Sequence, residues 1–200
     1  KLVRIPMSMH IGAPCTPVVK PRETVQVGQK IGDTDAFMAV PIHSGVSGTV
    51  KAISTYRMSN GRTCPMVEIE TDGAQTVCPA VCPPVVTDKA SFLQAVRESG
   101  LVGMGGASFP AHVKLNPKQA VDTLVINAAE CEPYITSDYR QMVEAPEEVL
   151  DGVCQVMHWL EIPKAVIGIE VNKPQAIRIL TEKAKSHPEI QVVSLPTTYP

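Results

Sequence analysis

Hydrophobic positions change their period partway along this chain. In residues 1–75 they come as short alternating runs: VQVGQKI (25–31), FMAVPI (37–42), SGTVKAI (47–53) and CPMVEIE (64–70). Gly28, Gly32, Gly45, Gly48 and Gly61 punctuate them. Alternation of this kind predicts half-buried β-strands joined by turns. From Thr87 onward, helical spacing alternates with compact apolar runs. Asp88 or Thr87 caps a predicted helix with Phe92, Ala95 and Val96 on its apolar face, and Gly100 ends it. TLVIN (123–127), KAVIGIE (164–170) and IQVVSL (190–195) read as strands. Predicted helices run from about Pro146 to Trp159 and from Pro174 to about Ser186, each with proline in its first turn. Strands spaced by helices predict a mainly parallel sheet. The fold class is therefore β followed by α/β. A stretch containing Pro79, Pro83 and Pro84 separates the halves, giving predicted domains of 1–75 and 89–200 with a Pro-rich linker at 76–88.

Composition narrows the function classes. A chain of 200 residues can bury a core as one domain or two small ones. A net charge of -2 argues against a nucleic-acid partner. No apolar run is long enough to span a bilayer, so no transmembrane segment is expected, while docking on a membrane complex stays open. The chain begins KLVRIP, without Met or a signal-peptide pattern, and finishes at Thr198-Tyr199-Pro200 without a cap or tail. It reads as a fragment of something longer. Cys15, Cys64, Cys78, Cys82, Cys131 and Cys154 are scattered, which suits a reducing cytoplasm better than a disulfide scaffold. CPAVCP (78–83) has no further ligands at tight spacing, so no metal site is predicted and its thiols are ordinary. His10 and His43 have no nearby partners in sequence and are assigned core or turn roles.

In the first half, PVVK (17–20), VQVGQKIG (25–32) and VPIHSGVSGTVKAI (40–53) resemble the barrel-sandwich fold of biotinyl and lipoyl carrier domains. Those carriers attach their cofactor to a hairpin lysine. Here no lysine lies between Ile31 and Val50, and Asp33 and Asp35 occupy the turn. The fold is expected, the carrier chemistry is not, and the module is read as a docking or structural one.

Two stretches in the second half carry candidate chemistry. GMGGASFPAHVK (103–114) places Gly103, Gly105 and Gly106 before Phe109-Pro110. Glycines let backbone N–H groups approach a ligand and converge into an anion nest. Lys114 adds a positive charge. The loop matches neither GK[ST] nor GxGxxG, and from its residues alone a structural turn is an equal reading. NAAECEPY (127–134) sets Asn127, Glu130 and Glu132 at the C-terminal end of a strand, where open α/β sheets bind ligands. A solvated acidic turn is the alternative. Cys131, between two carboxylates, is discounted as a nucleophile because neighbouring negative charge raises a thiol pKa.

GLVGMGGASFPAHVKL (100–115) and INAAECEPYITSDYR (126–140) together resemble the flavin-binding motifs of the respiratory complex I flavoprotein subunit. They are closer still to the C subunit of the Rnf electron-transport complex. MHIGAPCTPVVK (9–20), VPIHSGVSGTV (40–50) and IGIEVNKPQAI (167–177) support that second match. The resemblance implies a Rossmann-like flavin domain after the barrel-sandwich module, with FMN as cofactor and NADH as substrate. It assigns Gly103, Gly105, Gly106 and Lys114 to the FMN phosphate and ribityl chain, and Asn127 and Glu130 to the flavin. Phe109 and Glu132 would meet NADH, and Glu170 would supply a second acidic contact. Met104, Ser108, Ala129 and Val171 depart from the family pattern. No catalytic side chain is expected, because the chemistry belongs to the cofactors.

The family also carries two [4Fe–4S] clusters on C-x₂-C-x₂-C-x₃-C-P runs, which this sequence lacks. Expected partners are the other Rnf subunits and, indirectly, ferredoxin. The expected location is peripheral, at the cytoplasmic face of the cell membrane. Electron transfer by this stretch alone is not expected, and it should bind flavin weakly or not at all. Two alternatives stay open: a cobalamin reductase of the propanediol-utilisation type, and a non-catalytic docking module.

Overall fold

A computed structural model describes residues 1–198; Tyr199 and Pro200 lie outside the described residues. The chain forms two compact units, Lys1–Asn116 and Pro117–Pro200.

The first unit is built on two antiparallel sheets. Strands β1 (Leu2–Pro6), β7 (Thr63–Thr71), β6 (Gly48–Arg57) and β3 (Thr24–Val25) form one, in that order. Strands β2 (Thr16–Pro17), β4 (Lys30–Asp33) and β5 (Ile42–His43) form the other, ordered β2-β4-β5. Alternation decides which face is inside. On β7, Val67 and Ile69 are fully buried while Glu70 points outward, and Val50 of β6 joins them in a core with Met7, Val25 and Ile31. On the outer face, Arg4 lies directly opposite Glu68 and pairs with it at 3.9 Å.

Two predicted strands are shorter than their apolar runs. The run 25–31 is broken by Gly28, whose φ of +81 turns the backbone between β3 and β4. In 37–42 only Ile42 is in a strand, because Pro41 has no N–H for a ladder. Ala39 and Val40 are buried there without one, and His10 Nε2 lies 3.1 Å and Cys15 Sγ 3.2 Å from the Val40 carbonyl.

The Pro-rich segment follows the first unit closely. Val27 accepts from Cys78 N and donates to the Thr76 carbonyl, forming an isolated parallel bridge with Val77. Helix α1 (Lys89–Glu98) opens with a capping box between Asp88 and Ser91. Its last turn is held by alternating charges. Lys30 Nζ reaches Asp33 at 2.8 Å and Glu98 at 2.6 Å, and Arg97 reaches the same two carboxylates at 2.8 and 2.6 Å. The acidic turn that stands where a carrier lysine would sit is thus an anchor for α1. Gly100 follows at φ +72, and a Cβ there would sit 2.8 Å from the Pro41 carbonyl oxygen. These bonds explain why the first compact unit extends past 76–88 to the short helix α2 (Ala111–Lys114).

The second unit is a parallel sheet ordered β10-β9-β8, from β8 (Leu124–Asn127), β9 (Ala165–Glu170) and β10 (Ile190–Leu195). Helices α3 (Ser137–Glu144) and α4 (Pro146–Leu160) connect β8 to β9; α5 (Pro174–Lys183) and a 3₁₀ turn (Ala184–Ser186) connect β9 to β10. Leu150, Val153 and Met157 recur at helical spacing along α4 and pack with Leu180, Ile167 and Ile169. The alternation of helix and strand that the sequence predicts is present. No described helix is long and apolar enough to cross a membrane.

Candidate functional site

In the first unit the glycine stretch is a closed loop. Val102 and Pro110 form an antiparallel bridge, and Gly103 N donates to the Phe109 carbonyl at 2.9 Å. The residues between them project outward, with Met104 94% exposed. Gly106 has φ +107, a conformation that excludes a side chain, whereas Gly105 does not. A Cβ built on either would meet nothing within 4 Å. The tip therefore offers bare main chain with free space above it. Ser108 takes the left-handed conformation at φ +49 that glycine ordinarily fills, and its carbonyl accepts from Ile11 N at 3.2 Å. Phe109 is half-buried and Lys114 is exposed. Helix α2, which starts after Pro110, is one turn long, so its dipole adds little and Lys114 supplies the positive charge.

In the second unit the predicted acids sit at the C-terminal edge of the parallel strands, but their environments differ. Asn127 ends β8, and its Oδ1 accepts from Ala129 N at 3.1 Å, fixing the turn. It lines a cleft of about 260 Å³ with Ala128, Asp138, Gln141 and Met142. Glu130 is buried, and its Oε1 accepts from Asp138 N at 2.9 Å, at the start of α3. A carboxylate there complements the unpaired amides of a helix N-terminus. Its Oε2 lies 3.4 Å from Lys173 Nζ, close enough for charge pairing but without hydrogen-bond geometry. Lys173 also lies over the Tyr139 ring at 5.5 Å. Glu170, at the end of β9, is 6% exposed, and its Oε2 has no hydrogen-bond partner among the described residues. Glu132 and Cys131 are exposed.

The structure thus brings Gly103, Gly105, Gly106, Phe109 and Lys114 into one loop and turn, and puts Asn127, Glu130 and Glu170 on neighbouring strand ends. The two groups belong to separate units. Lys173 was not singled out from sequence. Its signal was present in VNKP (171–174), a lysine just before the proline that opens α5.

Each group offers contacts of a kind that nucleotides use. In the first unit, free main chain and an exposed ammonium suit a phosphate; in the second, a buried acceptor without a donor suits a hydroxyl or ring N–H. An unsatisfied buried oxygen costs roughly 1–3 kcal/mol, which a ligand donor would remove.

Similarity to known proteins agrees with this reading. The family described as the RnfC barrel sandwich hybrid domain matches residues 1–74, and the Nuo51 FMN-binding domain family matches residues 96–200. The chain is 42% identical to the C subunit of the Na(+)-translocating ferredoxin:NAD(+) oxidoreductase complex of Acetobacterium woodii, over 100% of this chain and 46% of that protein. It is 43% identical to the proton-translocating counterpart of Clostridium ljungdahlii, over 99% of this chain and 44% of that protein. It is 37% identical to the C subunit of the ion-translocating oxidoreductase complex of Rhodobacter capsulatus, over 100% and 40%. The chain therefore spans less than half the length of these curated relatives. With its barrel-sandwich module followed by a flavin-type domain, this chain belongs to the RnfC family.

Proposed function

We propose that this chain is the NADH- and FMN-binding portion of an RnfC subunit in an ion-translocating ferredoxin:NAD⁺ oxidoreductase. Gly103, Gly105, Gly106 and Lys114 hold the FMN phosphate and ribityl chain. Asn127, Glu130 and Glu170 bind the cofactor through their acceptor oxygens, while Phe109 and Glu132 receive NADH. Glu170 supports this reading most directly: a buried carboxylate oxygen without a donor, at a strand end, is an acceptor awaiting a ligand.

The bound flavin would take electrons from the nicotinamide in pairs and release them singly to [4Fe–4S] centres carried elsewhere in the protein. The side chains need neither give nor take a proton in that exchange. Lys114 compensates phosphate charge, the Glu130–Lys173 pair fixes the loop after β8, and Phe109 offers a face for stacking. Docking among the other Rnf subunits is assigned to the barrel-sandwich module. The protein is placed peripherally, at the cytoplasmic face of the membrane.

Flavin titration of the full-length protein tests the assignment. Lys114→Glu should weaken FMN binding by at least about tenfold, as expected for loss of a charged hydrogen bond. Glu170→Ala should weaken binding while unfolding at an unchanged or higher denaturant concentration. A full-length protein that binds no FMN, or variants that bind it as the parent does, would overturn the proposal.

A further inference from the structure

A second cluster of ligating atoms lies at the other end of the parallel sheet. Cys154 projects from α4, His187 follows the 3₁₀ turn, and Glu189 immediately precedes β10. The Glu189 carbonyl accepts from Ala165 N at the first residue of β9, so this is the N-terminal edge of the strands. Glu170 is a full strand away, roughly 17 Å at the usual rise.

Cys154 Sγ is 3.5 Å from His187 Nδ1, and that same nitrogen is 3.8 Å from Glu189 Oε1. All three ligand atoms lie within 4.8 Å of one another. The imidazole nitrogen holds either one proton or one lone pair, so it can serve one of these neighbours by hydrogen bonding. A cation at their common centre serves all three. With zinc bonds of about 2.3 Å to sulfur and 2.0–2.1 Å to nitrogen or oxygen, tetrahedral geometry sets S···N and N···O edges near 3.5 and 3.4 Å. The observed separations need only small side-chain rotations to meet them.

The supports are firm and the field is right. His187 N donates to the Ala184 carbonyl, and Ile190 N donates to the His187 carbonyl, both at 2.9 Å. Pro188 restricts the backbone between the two loop ligands. The Glu147, Asp151 and Glu189 carboxylates outnumber the Lys183 ammonium around this cluster and its cleft, so the local potential favours a positive ion. Cys154 and His187 also line a cleft of about 420 Å³ with Asp151, leaving a path for water to a fourth position.

We propose that Cys154, His187 and Glu189 form a zinc site with three protein ligands and an open fourth position. Thiolate with imidazole selects zinc over magnesium or calcium, whose preferred ligands are oxygens. Such a site would clamp α4 to the loop entering β10.

The reduced, metal-free 200-residue chain should be titrated with zinc against a chromophoric chelator. The expected result is one zinc per chain, with Cys154→Ser and His187→Ala each weakening binding at least about tenfold. Glu189→Gln, at an exposed position that leaves the fold intact, should weaken it as well. Cys78→Ser/Cys82→Ser should bind as the parent does. No saturable zinc binding by the parent would overturn the site. So would unchanged affinity in Glu189→Gln together with a folded Cys154→Ser, or loss of binding in the Cys78/Cys82 variant.

Discussion

Gly105→Ala separates the two roles that a glycine loop can have. If the loop only turns the backbone, nothing demands glycine at position 105, since its φ is not positive and a Cβ there meets nothing within 4 Å. The added methyl would then be free of strain in the folded state. By restricting the unfolded chain, it should stabilise the protein by about 0.4–1 kcal/mol. If the bare amides seat a phosphate, that same methyl occupies the ligand's space. Losing one charge-assisted hydrogen bond is worth about 1.5–3 kcal/mol, or roughly ten- to 150-fold in FMN affinity. The expected outcome is thus a protein that unfolds at equal or higher urea and binds FMN much more weakly. Flavin fluorescence quenching in the full-length protein, beside urea unfolding, reads both. Gly106→Ala serves as the contrast. With φ +107 it should lose about 1–2 kcal/mol of stability whatever the ligand does. Parent-like FMN affinity in a stable Gly105→Ala protein would refute the reasoning.

Other consequences are open to direct measurement. Burial raises the pKa of Asp33 and Glu98, but their bonds to Lys30 and Arg97 outweigh it and hold both below ordinary carboxylate values. A depressed folded pKa gives stability that is present above the unfolded value and lost as pH falls through the folded one. Urea midpoints should therefore hold from neutral pH and drop on acidification below 4.5, and Arg97→Met should flatten that drop; an identical acid limb in the variant would count against the charge cluster. Gly100→Ala combines φ +72 with a Cβ 2.8 Å from the Pro41 carbonyl, so it should destabilise by about 2 kcal/mol or more, checked by urea unfolding. Cys15 is buried, which raises its thiol to about 11. Brief iodoacetamide treatment at about pH 8 should label the exposed Cys82 and Cys131 and spare Cys15 by mass spectrometry; rapid labelling of Cys15 in the folded protein would contradict its burial.

Legibility in the sequence followed how local the controlling interactions are. The strand KAVIGIE announces β9 because both its faces are buried, and Pro146 and Pro174 mark helix starts through their own fixed φ. Helix α3 gave no such sign. Met142 is its sole buried residue, and its N-terminal amide is met by Glu130, eight residues earlier, rather than by a cap of its own. The same distance effect hid Lys173, whose pairing with Glu130 exists only once two loops converge. Gly28 was visible as a turn residue, yet its power to split the run 25–31 depended on the bonds around it. The glycine loop and the acidic strand end were legible as motifs because a backbone without side chains and carboxylates after a strand carry their chemistry in the residue types themselves. The burial of Glu170, and the exposure of Glu132 two residues from the buried Glu130, were not.

The Glu130–Lys173 pair also constrains how this protein can change over generations. Replacing either partner alone strands the other in a poorly solvated pocket, a loss of about 3–5 kcal/mol and a large part of a small domain's stability. Exchanging both for apolar residues would remove the buried charges, but it would leave the Asp138 amide without its acceptor and take away a proposed cofactor contact. Descendants that bind the same cofactor are therefore expected to keep the two together across distant members of the family.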